Sequence, residues 1–303
     1  MKLIFRGVDI APKVGISQAA IIDSAGGQLD SVEVVFSDPD GLWSQWNPQL
    51  GDSIRLSQDG FDSGQCYVDQ RGQSQGLYIL RGLSAPNGVK APRSRSWEKV
   101  TLLQMAADVA AEHGLTLAPY NIRDRTYDWV DQVGQGDLEF LAARCALEGA
   151  ALKVSDKQLI LYDEAALEAA APVRTIRRGD FCGDLEFLDD QSGLCSGCVV
   201  RYGEIVGEFL VPGGTGPLLS RGDVYVTSIG EAQRFAKGLA RQANRRAGML
   251  AGTILLDCTL AGGSMVQVTG VGTADGLYMV DEAEHLLTEG LTSLRLRKRL
   301  EGY

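Results

Sequence analysis

Short apolar runs dominate the first 85 residues of the chain. Each run is rich in β-branched and aromatic residues, and clusters of Gly, Asp, Asn and Pro separate one run from the next. Such a pattern is typical of strands joined by turns. The runs are residues 2–5, 32–36, 53–56, 66–69 and 77–81. Five short strands at this spacing predict a small β-barrel or sandwich over residues 1–92.

The period of the apolar pattern then changes. Residues 86–96 hold two prolines and no apolar periodicity, which indicates a linker or a long crossing loop. A capping box from Thr101 to Gln104 predicts a helix that ends at Gly114. A second helix is predicted over residues 137–148, followed by a hairpin. The sequence therefore predicts an α+β module over residues 93–165.

Strand patterns return over residues 172–303, which are predicted to form a second β-domain. Its predicted strands are residues 198–202, 205–209, 224–228, 253–260, 265–269, 277–282 and 291–297. A capping box at Ser228 begins a predicted helix, 229–247, with an apolar face. The opposite face is basic and carries Arg234, Lys237, Arg241, Arg245 and Arg246. Solvation, or contact with the acidic surface of a partner, explains these charges better than phosphate binding.

One stretch, residues 51–69, recurs 212 positions later without a gap. Gly51, Gly60, Gly64, Val68 and Asp69 correspond to Gly263, Gly272, Gly276, Val280 and Asp281. The apolar strand positions also stay in phase, and turn glycines and inward-facing positions are the features that fix the register of a hairpin. We therefore expect two copies of one β-domain, one on either side of the α+β module.

Composition limits the function classes. The net charge of −10 argues against a general nucleic-acid binder, although it suits a passage through which DNA slides without sticking. No apolar run approaches the ~20 residues of a membrane-spanning helix. The N terminus lacks the apolar region of a signal peptide. The six cysteines are scattered, which indicates cytosolic synthesis and reduced thiols.

Candidate chemistry is sparse. Cys195-Ser-Gly-Cys198, with Cys182 upstream, is the only spacing that hints at a metal or redox site; packing or incidental thiols explain it better, with a metal or a disulfide as the alternative. The chain has two histidines, and we expect His285 to be structural, beside Glu284 or a backbone carbonyl. No nucleophile or phosphate-loop motif occurs. We therefore expect no catalytic residue, no cofactor and no enzymatic activity.

Three tryptophans lie in or beside predicted loops. Trp43, Trp46 and Trp97 are candidates for interface anchors, and local core packing is the equally good alternative.

Several stretches resemble one family. They are Arg93-Ser-Arg-Ser-Trp97 with Thr101-Leu-x-x-Met-Ala-x-x-Val-Ala-x-x-His-Gly-Leu115, Gln135-Gly-Asp-Leu-Glu-Phe-Leu141, Glu148-Gly-Ala-x-Leu-Lys-Val154 and Gly276-Leu-Tyr-Met-Val-Asp-Glu-Ala-Glu-His285. Their order and spacing resemble the phage late control D family, the baseplate hub proteins of contractile phage tails. The resemblance covers most of the chain.

The resemblance implies a structural hub that works as a homotrimer. Two tail-tube-like β-barrel domains per subunit would form a pseudo-sixfold ring, with the tail tube protein on one side and a threefold central spike protein on the other. Other baseplate proteins would surround it, and DNA would pass through its lumen without specific binding. The location implied is the virion tail baseplate, after assembly in the host cytoplasm. Nothing in the chain resembles the lysozyme domain that some relatives carry.

Two other function classes remain open at this point. One is a peptidoglycan-cleaving tail hydrolase, which the missing catalytic motifs disfavour. The other is a surface- or carbohydrate-binding β-protein, in which loop tryptophans would stack on sugars. Particle size separates the readings, because only the hub predicts trimers or rings.

Overall fold

The first part of the chain forms a β-unit around one short helix. The structure is a computed structural model that describes residues 1–190 and 192–303. The strands of this unit are β1 (Lys2–Phe5), β2 (Val8–Asp9), β3 (Ile16–Ser24), β4 (Ser31–Ser37), β5 (Ser53–Gln58), β6 (Phe61–Asp62), β7 (Cys66–Ser74) and β8 (Leu77–Leu83), and the helix is α1 (Leu42–Trp46). All five strands predicted for this part are confirmed. Alternate residues of β4, namely Val32, Val34 and Phe36, are fully buried, as expected for a strand with one face on the core.

The middle of the chain is the expected α+β module. Its elements are β9 (Arg93–Thr101), α2 (Leu102–Glu112), β10 (Thr116–Tyr120), β11 (Thr126–Gln135), α3 (Asp137–Leu147), β12 (Ala150–Ser155), β13 (Gln158–Asp163) and α4 (Glu164–Glu168). The capping box is confirmed, since Gln104 N–H donates to Thr101 Oγ1 and Thr101 N–H donates to Gln104 Oε1. The linker prediction is wrong for residues 93–96, because they begin β9 and pair with β11 in a two-stranded ribbon.

The last part of the chain is a second β-unit with an insertion. Its elements are β14 (Arg174–Arg177), β15 (Phe181–Asp189), β16 (Gly197–Tyr202), β17 (Ile205–Leu210), β18 (Leu218–Arg221), α5 (Ile229–Asn244), β19 (Gly248–Leu255), β20 (Met265–Thr269), β21 (Gly276–Leu286) and β22 (Leu291–Lys298). The strand predicted at 224–228 is wrong. Val224 and Val226 are buried, but the backbone N–H of Thr227 donates to the Glu231 side chain at the start of α5 rather than to a strand.

Helix α5 packs away from the second β-unit. Its apolar residues, among them Phe235 and Ala236, lie in the same core as α2, α3 and β16. A Cβ on Gly238 would come within 2.3 Å of the Leu147 carbonyl at the end of α3, so only glycine permits this close approach of the two helices. The sequence assigns helix 229–247 to the second β-domain, whereas its apolar face completes the core of the middle module. The three domain boundaries otherwise stay a prediction.

The two β-units have the same strand order and share one sheet. The hydrogen-bonded ladder runs β15-β19-β22-β21-β3-β4-β8-β7-β5-β1-β2, and β20 joins β21 and β14. The order β3-β4-β8-β7-β5-β1 in the first unit therefore matches β15-β19-β22-β21-β20-β14 in the second, except that β1 is antiparallel to β5 whereas β14 is parallel to β20. The expected class, α+β and mainly β, is confirmed. Among the described residues, the ladder closes into a barrel in neither unit.

Candidate assembly interface

The two hairpins that recur in the sequence have the same register. Ser53 pairs with Tyr67 in β5 and β7, and Met265 pairs with Met279 in β20 and β21, which is the same pair 212 positions later. The preceding glycine turns are also alike. Gly51 N–H donates to the Val68 carbonyl at 2.7 Å, and Gly263 N–H donates to the Val280 carbonyl at 2.8 Å.

An irregularity in the ladder is repeated as well. The register between β7 and β8 shifts between Val68 and Gln70, and that between β21 and β22 shifts between Val280 and Glu282. The two shifts enclose Asp69 and its counterpart Asp281. A bulge bends its strand and re-aims the residues beyond it, so it is a designed feature of a sheet. Matching glycines, registers and bulges together confirm the predicted repeat.

The two β-units meet where β21 pairs with β3. Residues 282–286 of β21 lie antiparallel to residues 20–24 of β3, with His285 opposite Ile21. His285 is fully buried at this junction. One of its ring nitrogens lies 3.1 Å from Thr292 Oγ1 and the other lies 3.1 Å from the Leu260 carbonyl, and Phe61 of the first unit packs on the ring. Burial lowers the pKa of His285. The histidine is therefore structural, and a backbone carbonyl is its partner, as the sequence predicts.

Most of the basic face of α5 is used inside the chain. Arg241 is only 3% exposed, and its Nη2 lies 2.7 Å from Glu168 Oε1 in α4. Arg234 pairs with Glu148 at 3.2 Å, and Arg245 pairs with Asp281 of β21 at 3.1 Å. The prediction that this face is solvated or contacts a partner is therefore wrong for these three arginines. Helical spacing cannot reveal acidic partners that come from distant elements.

Two buried carboxylates tie the first β-unit to the middle module. Lys153 of β12 forms ion pairs with Asp23 of β3 and with Asp30 in the turn that follows it. Burial raises the pKa of Asp30 to about 7, with Lys153 acting in the opposite direction.

The three candidate tryptophans occupy different environments. Trp43 is buried in the first β-unit, where its ring stacks on Tyr78 with centroids 5.6 Å apart, so it serves the core alternative. Trp46 is 51% exposed and packs edge-on against Trp43. Trp97 stacks on Phe140 at 5.2 Å, and its indole N–H donates to Asp108. Of the three, Trp46 keeps the exposed apolar surface that an interface anchor needs.

The cysteines do not come together as a ligand set. Cys182 is exposed on β15, whereas Cys195 and Cys198 are buried beside α5. Burial raises the pKa of the Cys195 thiol and raises that of Cys198 to about 11, so both favour the thiol form rather than the thiolate that binds metals.

One cluster of metal-ligating side chains occurs in the described part of the chain, formed by Glu112, His113 and Asp137. Arg95 lies 2.7 Å from Glu112 and 2.8 Å from Asp137, and His113 Nε2 lies 2.7 Å from Asp137. Burial would raise the pKa of Asp137, but hydrogen bonds from Gln132 and His113 and the charges of Arg95 and Arg93 hold it below its usual value. The arginines already neutralise the carboxylates, so this cluster is an ion-pair network that fastens β9 to α2 and α3.

Two cavities lie at the edges of the middle module. One of about 340 Å³ is lined by basic side chains, including Arg123, Arg125 and Lys237, together with Glu148 and Asp163. Another of about 380 Å³ lies between the turn after β3 and α3. Neither is lined by a serine, threonine, cysteine or histidine. In the parts of the chain that the structure describes, no helix is both long and apolar enough to cross a membrane.

Comparison with solved structures places the fold among phage tail proteins. The 43 kDa tail protein of prophage MuSo2 from Shewanella oneidensis has a TM-score of 0.77 at 13% identity, covering 98% of both chains. A tail protein from Neisseria meningitidis MC58 has a TM-score of 0.75 at 16% identity, covering 98% of this chain and 96% of the other.

A third similar structure comes from a secretion machine. The E. coli c3393 protein is described as a component of the type VI secretion system with structural similarity to tail proteins gp27 and gp5 of bacteriophage T4. It has a TM-score of 0.64 at 12% identity, covering 100% of this chain and 78% of the other. No protein-family model matches the sequence, and no curated protein matches it. The likeness thus lies in the fold, which is that of phage tail proteins.

Proposed function

We propose that the chain is a structural baseplate hub protein of a contractile phage tail or a related injection particle. It works as a homotrimer whose six β-units form a pseudo-sixfold ring. The observation that carries this proposal is the internal repeat, in which two units of one strand order are joined by pairing β21 with β3. The shared fold with phage tail proteins supports the setting.

The repeat supplies a symmetry adaptor. Two alike units in each of three chains give six alike positions around an axis, while the differences between the units leave true threefold symmetry. One face of such a ring fits a sixfold tail tube, and the other fits a threefold spike. The middle module and the insertion β16–β18 with α5 occur once per chain, so they repeat only three times and suit contacts with the spike and other baseplate proteins.

The role is geometric rather than catalytic. Within the described residues both histidines have structural partners: His113 pairs with Asp137, and His285 contacts Thr292 and Leu260. The net charge of −10 suits a lumen through which DNA moves without adhering. The location we propose is the baseplate of the tail, reached after assembly in the host cytoplasm.

Native mass spectrometry of the purified chain tests the proposal. We expect a particle of three times the 32.5 kDa chain mass, and end-on views in negative stain with a central hole. A chain that stays monomeric at tens of micromolar, in low and in physiological salt, would refute the ring.

A further inference from the structure

We propose that neighbouring copies of the chain join by strand pairing between β7 of one copy and β15 of the next. Residues 70–74 of one chain lie antiparallel to residues 186–190 of the other, with Gly72 opposite Leu188. The inference deepens the proposed ring and rests on it, since it assigns the surfaces through which the ring closes.

The junction inside the chain sets the register. The matching hairpins and bulges make each residue of β7 the counterpart of the residue 212 positions later in β21, so Gln73 corresponds to His285. The counterpart of β3 is found through the ladder. In the first unit Gly82 pairs with Val32, and Val32 pairs with Ile21. In the second unit Leu296 pairs with Leu250, and Leu250 pairs with Phe187.

Phe187 therefore holds the position of Ile21. This follows because Gly82 and Leu296 are themselves counterparts, each lying opposite the residue before the bulge, Val68 in one unit and Val280 in the other. Since His285 lies opposite Ile21 inside the chain, Gln73 lies opposite Phe187 between chains. Gly72 then faces Leu188, and Arg71 faces Asp189.

Both edges are open in the single chain. In the described residues, β15 pairs only with β19, and residues 70–74 of β7 pair only with β8. All five residues of the β7 segment are exposed, and Leu188 is 55% exposed although it is a large apolar residue. Unpaired strand edges are templates for pairing with another chain, and proteins that stay monomeric cover or blunt them.

The side chains across the proposed junction are compatible. Arg71 and Asp189 carry opposite charges at directly opposed positions, a pairing that stabilises antiparallel strands. No like charges oppose each other between residues 71–73 and 187–189. The corresponding side chains of β15 and β3 also lie on the same face of their strands. Phe187 packs against the core of the second unit, as its counterpart Ile21 does in the first.

Cysteine cross-linking tests the register. Inside the chain the Ala25 N–H donates to Asp281 and the Leu287 N–H donates to Ala19, which makes the pair Ile22 and Glu284 a non-hydrogen-bonded one. Its counterpart, Gly72 and Leu188, therefore has Cα atoms about 4.5 Å apart, within disulfide range. A Cβ on Gly72 meets nothing within 4 Å. The background carries Cys182→Ser and Cys258→Ser, because the other four cysteines are buried.

In that background, oxidation of the variant Gly72→Cys/Leu188→Cys should give disulfide-linked dimers and trimers on non-reducing gels. The matched control is Gly72→Cys/Glu186→Cys, which moves one cysteine two residues along the same face. There the Cα atoms lie about 7–8 Å apart, beyond disulfide range, so we expect at least tenfold less product. Mixing the two single-cysteine chains should yield one cross-linked dimer, which proves that the bond joins different chains.

The outcomes separate this inference from the proposed ring. The strand pairing is overturned if the unmodified chain is trimeric by native mass but the Gly72→Cys/Leu188→Cys variant forms no disulfide. It is also overturned if the control forms more disulfide than that variant. In both cases the proposed ring is unaffected. A monomeric unmodified chain overturns both the strand pairing and the ring. As a control, the native mass of each single-cysteine variant is compared with that of the unmodified chain. Equal masses show that the substitutions leave folding and assembly intact.

Discussion

Replacing the turn glycines of the two hairpins with alanine should weaken both hairpins equally. Gly51 has φ +90° and Gly263 has φ +94°, a region that residues with a Cβ adopt at a cost. An added Cβ on Gly51 meets nothing within 4 Å, and on Gly263 its nearest neighbour is Leu167 Cδ1 at 3.5 Å, an ordinary contact. The cost in each case therefore comes from the backbone alone, about 1–2 kcal/mol.

Hydrogen exchange followed by mass spectrometry measures this cost locally. The reporters are the amides of Val68 and Val280, which donate to Asp52 and Ser264 beside the two glycines. Opening of a hairpin releases the strain, so 1–2 kcal/mol corresponds to exchange about 5–30-fold faster in the hairpin that carries the substitution. The control is Gly179→Ala, because Gly179 does not have a positive φ, its Cβ would be free of contacts, and it lies outside the proposed junction between chains.

Unequal effects would show that the two hairpins differ in backbone geometry. If Gly51→Ala and Gly263→Ala accelerated exchange by factors more than tenfold apart, the two hairpins would not share one backbone geometry. If neither substitution accelerated exchange beyond the Gly179→Ala control, the strain assigned to the glycines would be absent.

Two further predictions concern buried charges. Because the folded-state pKa of Asp30 is raised to about 7, its contribution to stability is full below its unfolded pKa near 3.8 and is lost as pH rises through 7. The unfolding free energy of the wild type relative to Asp30→Asn should therefore fall by up to about 1.4 kcal/mol per pH unit between pH 4 and 7 in urea titrations. A difference that stays constant over this range would contradict the prediction. Arg297→Ala should cost more than about 1 kcal/mol and at most about 3–5 kcal/mol, because it removes a fully buried partner of Glu168 and Glu164 while Arg241 still pairs with both. Arg295→Ala on the same strand, where the side chain is 52% exposed, should cost less than about 1 kcal/mol. Equal losses in thermal or urea unfolding would contradict the pairing.

The repeat could be found in the sequence because its signals are local. Residues with a Cβ adopt a positive φ only at a cost, so glycine stands at the same point of both hairpins, as Gly51 and Gly263. The alternation of buried and exposed positions is likewise visible in the sequence of each strand. The strand order, by contrast, depends on which distant strands pair, as β21 does with β3, and no local pattern carries that information.

The segments whose structure differs from the sequence prediction differ for similar physical reasons. Residues 93–96 are arginine and serine because one side of the ribbon that they form with β11 faces solvent, and a polar strand resembles a linker. Apolar and polar residues alternate over 224–228 as in a strand, yet Val224 and Val226 are buried without pairing of their backbone to another strand. Arg241 belongs to the polar face of α5 by its spacing, but Glu164 and Glu168 bury it. The ends of the ladder, β15 and the outer part of β7, became candidate interfaces only once the pairing was known.

The proposed function and the proposed strand pairing both require that six alike β-units close into a ring through one repeated junction. Cryo-electron microscopy of the assembled particle would resolve every junction of that ring. We expect three junctions within chains, between β21 and β3, and three between chains, between β7 and β15, all with the same antiparallel register. A particle whose chains meet through other surfaces, with residues 70–74 and 186–190 left exposed, would rule out this ring.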